Sequence, residues 1–213
     1  AVIRSVSVVF SWARRRGLYD GQNPMNGLQR TAPQPEVEFY TEEETRRMLD
    51  AARRCGPTTH ALLQTALYTG MRKGELFGLR WSDVDLERRI VFVRRSYLLA
   101  PKSGRMRTVP IHPELTATLR ELRAAAQEGE LVFPVQGRMG TAHDMCGLYE
   151  VMAAAGVRSL GRPWHAMRHT FASHYVMNGG NLLALQRILG HSDVKMTMVY
   201  AHLAPDFLGD EME

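Results

Sequence analysis

The spacing of apolar residues is helical along most of this 213-residue chain and changes once, in the stretch that follows Trp81. Apolar residues three and four positions apart place one face of a helix against a core, whereas alternation and short β-branched runs are typical of strands. The change of spacing between residues 84 and 111 therefore predicts a mainly α-helical domain with a small three-stranded antiparallel sheet, an α+β fold.

The bounds of these elements are predicted from start and stop signals. Thr41 and Glu44 have the spacing of a capping box, which predicts that a helix begins after Thr41. Gly70 is a typical stop for a second helix that begins near Pro57. Further helices are predicted at about 72–79, 113–122, 141–155, 164–177, 182–189 and 193–202. The strands are predicted among residues 84–93, 97–99 and 108–111, with turns at 87–89 and 102–104.

Changes in composition along the chain predict its domain organisation. Residues 1–20 have helical spacing up to Gly17, and we interpret them as the last helix of a domain whose earlier part is not in this sequence. Residues 21–36 are rich in Gly, Asn, Gln and Pro, which predicts a linker. The main domain is predicted over residues 37–213 and includes a short acidic tail at its end.

Charge and cysteine content narrow the classes of function. The net charge of +5 is compatible with binding to nucleic acid but is not diagnostic of it. The two cysteines, Cys55 and Cys146, are too few and too far apart for a disulfide framework or a zinc site. No apolar run is long enough to span a bilayer, so we expect no membrane partner and a cytoplasmic location.

A set of cationic and polar residues, followed by a tyrosine, is the candidate active site. Its members are Arg72 with Glu75, Lys102, His165, Arg168, His191 and Tyr200. A phenol has a pKa of about 10 and is a weak nucleophile at neutral pH unless its proton is removed or its electrophile is polarised. Arginine polarises a phosphate by forked, bidentate hydrogen bonding.

Three of these residues also have simple structural explanations. Arg72 and Glu75 have the i,i+3 spacing of a surface ion pair. Lys102 lies in a predicted hairpin turn, where a lysine is ordinarily solvated.

The histidines and the tyrosine have alternatives as well. His165 and His169 are separated by one helical turn and have the spacing of metal ligands, but the glutamate of the HExxH motif is missing and no third ligand is evident. His191 follows Gly190 and could be a helix cap, and Tyr200 could be a core residue.

Taken together, these residues and their surroundings resemble the tyrosine recombinases, the phage integrase family. The resemblance covers about residues 40–203 and includes every position of the candidate site. Its motifs are T-G-M-R-K-G-E-L, W-S-D-V-D-L, K-S-G, V-P-I, H-A-M-R-H-T-F-A-S-H, L-G-H-S and T-M-V-Y-A-H-L. Ala166 and Met167 stand where many members have other apolar residues. Residues 1–27 resemble the last helix of the family's DNA-clamping core-binding domain, whose earlier helices are absent from this sequence.

The resemblance implies site-specific recombination through a covalent 3′-phosphotyrosine. One DNA strand is cut at a time, a free 5′-hydroxyl later reverses the link, and no metal, ATP or other cofactor is used. By the match, Tyr200 is the nucleophile, and Arg72 and Arg168 hold the non-bridging phosphate oxygens. His191 donates a further hydrogen bond to them.

The resemblance also assigns the proton transfers and a supporting residue. Lys102 is expected to be the general acid that protonates the leaving 5′-oxygen, and His165 the general base near the tyrosine. Glu75 is expected to orient an arginine or a histidine of the site.

Double-stranded DNA is the expected partner, bound by a homotetramer that is monomeric without DNA. Additional contacts to DNA are expected from Arg14, Arg15, Arg16, Lys73, Arg105 and Arg107. Three other functions remain as alternatives: a type IB topoisomerase-like relaxation of DNA, a non-catalytic DNA-binding module of the same fold, and a metal-dependent hydrolase. A binding module needs positive charge and no phenol, which argues against the second.

Overall fold

A computed structural model describes residues 2–26, 28, 37–96, 106–125, 130–134 and 147–205 of the chain. The chain divides into two compact units, residues 1–36 and residues 37–213. In the part of the chain that the structure describes, no helix is both long and apolar enough to cross a membrane.

The first unit is built around helix α1 (Val2–Arg15). The helix is followed by a turn in which Gly17 has φ 67°, the left-handed conformation that favours glycine at helix ends. Asn23 is buried and ties the following segment back to the helix, because its Nδ2 donates to Ser7 O and to the hydroxyls of Ser7 and Ser11 at 3.0–3.2 Å. α1 exposes several large apolar side chains, among them Val2, Val8, Val9 and Trp12.

The second unit is mainly helical. Its helices are α2 (Glu42–Cys55), α3 (Pro57–Thr69), α4 (Lys73–Phe77), α5 (Pro113–Ala125), α6 (Leu148–Ala154), α7 (Pro163–Met177), α8 (Leu182–Leu189) and α9 (Lys195–Met198). The predicted capping box begins α2: the Thr41 hydroxyl accepts a hydrogen bond from Glu44 N, and Thr41 N donates to the Glu44 carboxylate. Each hydrogen bond satisfies a backbone N–H that the first helical turn leaves without a partner.

One small antiparallel sheet interrupts the helices. Its strands are β1 (Val84–Asp85), β2 (Ile90–Val93) and β3 (Arg107–Pro110), in the order β1-β2-β3. β2 pairs with β3 from Ile90 opposite Pro110 to Val93 opposite Arg107. The predicted fold class is therefore confirmed. The predicted strand at 97–99 and the beginning of the predicted helix at 141–155 lie outside the described residues.

The predicted single helix at 193–202 is wrong. α9 is only four residues long, and a short 3₁₀ helix, Ala201–Leu203, follows it after a turn at residues 199–200. Tyr200 N donates to Thr197 O and Leu203 N donates to Tyr200 O, so i→i+3 hydrogen bonds replace the α-helical pattern. Tyr200, within this segment, is buried.

Two apolar clusters form the interior of the second unit. α3 is buried on nearly all sides, where it packs against α2, α5 and α7. The second cluster joins α7, α8 and the segment after α9. Its buried members are Ala172, Val176, Leu185, Leu189 and Tyr200.

Candidate active site

The end of α3 brings the backbone close to α7 and α8. Gly70 has φ 60°, and a Cβ at this position would lie 2.5 Å from Phe171 Cδ1 and 2.9 Å from Leu189 Cδ2. The close approach therefore requires glycine. Its consequence is that the carbonyl oxygen of Gly70 points into the site, where it accepts a hydrogen bond of 2.7 Å from Arg168 Nη1.

Arg168 lies on α7 and is only 3% exposed. Its Nη2 donates to Leu189 O at 2.7 Å, so two carbonyl groups from different elements fix the guanidinium. Burial, together with the neighbouring charge of Arg72, lowers the pKa of Arg168 to about 9. The guanidinium therefore remains charged at neutral pH and provides a rigid cation.

Glu75 is the centre of a buried ionic network. Its carboxylate is 2% exposed and accepts hydrogen bonds from Arg72 N (2.8 Å) and Arg72 Nη1 (3.0 Å). It also accepts a bidentate pair from Arg107 Nη1 (2.9 Å) and Nη2 (2.7 Å). Burial alone raises the pKa of Glu75, but hydrogen bonding and the charge of Arg107 outweigh it and hold the pKa below its usual value. The interpretation of Arg72 and Glu75 as a surface pair is wrong.

The same network corrects our expectation for Arg107. We expected this residue on a DNA-contacting surface, but its side chain is 7% exposed and its charge is matched by Glu75. Its Nε donates to Ile188 O at 2.6 Å, and a Cβ at Gly190 would lie 2.9 Å from Arg107 Cδ. Arg107 thus connects β3, the end of α8 and, through Glu75, helix α4. We propose a positioning role for it in place of direct DNA contact.

His191 follows α8 and faces the same region. Its Nδ1 lies 2.8 Å from Thr197 Oγ1, a hydrogen bond that fixes the ring. Burial, together with the charges of Arg168, Arg72 and Arg107, lowers the pKa of His191 to about 4. The imidazole is therefore neutral at neutral pH and can donate one hydrogen bond.

Tyr200 is 2% exposed, and its hydroxyl lies 2.7 Å from Nδ1 of His169. Burial raises the pKa of Tyr200 to about 12, although the charge of Arg168 lowers it. The sequence indicated His169 only as a possible metal ligand with His165 and not as a member of this site. The i,i+4 spacing of His165 and His169 places both rings on one face of α7, and this spacing could have indicated that His169 belongs to the site.

His165, the expected general base, lies one turn earlier on α7. Its ring packs edge-on against that of His169, with 4.5 Å between centroids. Burial, Arg168 and Arg162 lower the pKa of His165. In the described part of the chain, His, Cys, Asp and Glu residues form no group of three that could hold a metal ion.

An open cleft of about 640 Å³ lies beside these groups. Three basic residues, Arg72, Lys73 and Arg162, line this cleft together with His165. The expected DNA contacts Arg14, Arg15 and Arg16 are exposed at the end of α1, in the first unit. Lys102 and Arg105 lie outside the described residues.

The arrangement of the two site arginines suits an anion. Arg72 Nη1 (3.4 Å) and Arg168 Nη2 (2.7 Å) both donate to the carbonyl oxygen of Leu189, so the two cations converge on one point. Two fixed guanidinium groups beside a phenol can stabilise negative charge that develops on a phosphoryl group.

Comparisons with known proteins agree on one family. The sequence model of the phage integrase family matches residues 38–206. The integrase of Escherichia phage 186 is 35% identical over 208 residues, which are 96% of this chain and 56% of that protein. Tyrosine recombinase XerC of Xanthomonas axonopodis pv. citri (strain 306) is 31% identical over 203 residues, 91% of this chain and 63% of that protein. The chain thus spans a little over half the length of these curated relatives.

Solved structures give the same result. The catalytic domain of bacteriophage HP1 integrase has a TM-score of 0.64 and 29% identity, covering 83% of this chain and 94% of that one. The XerA recombinase has a TM-score of 0.67 and 28% identity, covering 99% of this chain and 73% of that one. The family match extends over most of the chain, and it includes Arg72, Glu75, His165, Arg168, His191 and Tyr200. On this evidence the chain belongs to the phage integrase family.

Proposed function

We propose that this chain is the catalytic part of a site-specific DNA recombinase that cleaves and rejoins strands through a 3′-phosphotyrosine at Tyr200. The observation that carries the proposal is the Tyr200 hydroxyl, which lies 2.7 Å from a neutral imidazole and whose pKa the charge of buried Arg168 acts to lower. A core tyrosine needs neither neighbour. A nucleophilic phenol needs a proton acceptor and a polarised electrophile.

The two arginines supply the electrostatic part of the mechanism. Negative charge spreads over the phosphoryl oxygens in the transition state, and cations that are already in place stabilise it with little reorganisation. Arg168 is held by two backbone carbonyls, and Arg72 by Glu75 and Leu189 O. We assign both to the non-bridging oxygens, with His191 as a third donor.

Lys102 is proposed as the acid that protonates the leaving 5′-oxygen. An exchange of a phosphodiester for a phosphotyrosine conserves bond energy, so the reaction needs no ATP. Because guanidinium groups meet the phosphoryl charge in this mechanism, we also propose that no metal ion takes part. Recombinase activity in excess chelator is the corresponding expectation, and it separates this mechanism from a metal-dependent hydrolase.

Duplex DNA is the proposed substrate, with a homotetramer on DNA and a monomer without it. The net charge of +5 and the three basic residues of the cleft, Arg72, Lys73 and Arg162, support binding to phosphates. The Tn1549 transposon integrase, similar in fold with a TM-score of 0.71 at 22% identity, has been solved in complex with transposon right end DNA. The fold is therefore compatible with DNA binding, and we propose that the chain acts on DNA in a bacterial cytoplasm.

A trapping experiment tests the proposed function. The chain is incubated with a pool of nicked duplexes of randomised sequence, in which cleavage beside the nick releases a short oligonucleotide and prevents rejoining. We expect a covalent protein–DNA band on a denaturing gel with the unmodified chain and none with Tyr200→Phe, which keeps the ring and removes the attacking oxygen.

Tyr175→Phe is the matched control, because Tyr175 lies on α7 and packs against the same apolar cluster as Tyr200. It should form the covalent band at the unmodified level. A covalent band of equal intensity with Tyr200→Phe, or none with the unmodified chain, would contradict the proposed function.

A further inference from the structure

We propose that His169 is a catalytic residue that accepts the proton of Tyr200 as the phenol oxygen attacks the DNA phosphorus. This inference rests on the proposed function above and deepens it, because it replaces the expected general base, His165, with its neighbour on α7.

The positions of His169 and Tyr200 allow a direct proton transfer between them. His169 Nδ1 and the Tyr200 hydroxyl are 2.7 Å apart, within the range for direct proton transfer. The position of each partner is fixed independently: His169 by the middle of α7, and Tyr200 by the apolar cluster around its ring. His165 packs edge-on against His169 and forms part of the cleft wall. His165 therefore lies on the cleft side, from which a phosphate would enter.

The protonation states agree with this geometry. Burial lowers the pKa of His169 to about 4, and His165 and Arg168 contribute in the same direction, so the ring is neutral at neutral pH. A neutral imidazole has one nitrogen with a free lone pair. Burial raises the pKa of Tyr200 to about 12, so its proton stays in place until the oxygen begins to bond to phosphorus.

Cleavage combines two proton transfers with an exchange of bonds at phosphorus. The O–H bond of Tyr200 breaks and its proton passes to His169 Nδ1, while the phenol oxygen forms a bond to phosphorus. The bond from phosphorus to the 5′-oxygen breaks, and that oxygen takes a proton from Lys102. Rejoining runs the same transfers in reverse. The imidazolium formed beside Arg168 is disfavoured by that charge, so the proton returns readily to the tyrosine when the phosphotyrosine is resolved.

The test begins with His169→Asn. Asparagine keeps a hydrogen-bonding atom close to the position of Nδ1 but cannot take up a proton. We expect the first-order rate of covalent-complex formation on the nicked duplexes to fall by roughly 10²- to 10⁴-fold, the usual contribution of general acid–base catalysis. His174→Asn, further along α7, is the matched control and should keep the unmodified rate.

Added imidazoles then test proton transfer itself. His169→Ala should regain part of its rate when free imidazole is supplied, and the regained rate should rise with the pKa of substituted imidazoles. An inert hydrogen-bonding or packing role for His169 would show no such dependence. An unmodified rate in His169→Asn, or no recovery with imidazole, would overturn the proposal.

A spectroscopic measurement gives an answer that does not depend on cleavage. Nitrogen NMR of the His169 ring in the 213-residue chain should find the proton on Nε2 and none on Nδ1 at neutral pH. A proton on Nδ1 would exclude His169 as the acceptor, whatever the activity. Failure of the unmodified chain to form any covalent complex would instead refute the proposed function itself.

Discussion

Replacement of Arg168 by lysine is expected to reduce the rate of covalent-complex formation by at least roughly 10²-fold, the effect of removing one preorganised donor from a charged transition state. Arg168 uses two of its five N–H groups to hold Gly70 O and Leu189 O, and we propose that others bind the phosphate. A lysine has a single ammonium group and cannot fork between two carbonyls and a phosphate. The measurement is the single-turnover rate on nicked duplexes.

A modified substrate separates this defect from loss of the acid. In a 5′-bridging phosphorothiolate, the leaving thiolate needs no proton. Lys102→Ala should therefore recover on this substrate, whereas Arg168→Lys should not, because its defect is in charge stabilisation. Arg158→Lys is the control, since Arg158 is an exposed surface arginine paired with Glu38. Equal recovery of the Lys102 and Arg168 variants would remove Lys102 from the acid role.

Glu75→Ala is expected to lower the free energy of unfolding by about 3–5 kcal/mol, the typical cost of breaking a buried ion pair by removing one partner. The substitution leaves the guanidinium of Arg107, 7% exposed, without its bidentate acceptor. It also frees Arg72, so covalent-complex formation should fall as well. Chemical denaturation measures the first effect. Glu43→Ala is the control, because Glu43 forms an exposed pair with Arg46 and its loss should change stability little.

The contribution of Glu75 to the free energy of unfolding depends on pH in a defined direction. The folded-state pKa of Glu75 lies below its ordinary value, so its stabilisation is complete above the unfolded-state pKa of about 4.3 and is lost as the pH falls through the folded-state value. The stability difference between the unmodified chain and Glu75→Gln should therefore shrink in acid and persist at neutral pH. A difference that grows as the pH is lowered would contradict this account of the network.

The sequence predicted those parts of the molecule that depend on local patterns. The capping box at Thr41 and Glu44, the stop at Gly70 and the sheet inserted after Trp81 each follow from neighbouring residues. Motif resemblance selected Arg72, Arg168, His191 and Tyr200, which the fold places in one region.

Long-range partners could not be predicted in this way. Arg107 and Glu75 are 32 positions apart, and His169 and Tyr200 are 31 apart. No local pattern indicates that Arg107, which resembles any basic residue of a surface strand, is neutralised inside the protein. The tightened turns around Tyr200 were missed for the same reason, since packing of its ring against α7 and α8 overrides the helical spacing of 193–202.

The attachment site of the trapped DNA tests directly whether Tyr200 is the nucleophile. The covalent complex is digested with protease and nuclease, and the modified peptide is sequenced by mass spectrometry. We expect a nucleotide linked through its 3′-phosphate to the oxygen of Tyr200, in the peptide that follows Lys195. A linkage to any other residue, or through a 5′-phosphate, would contradict it.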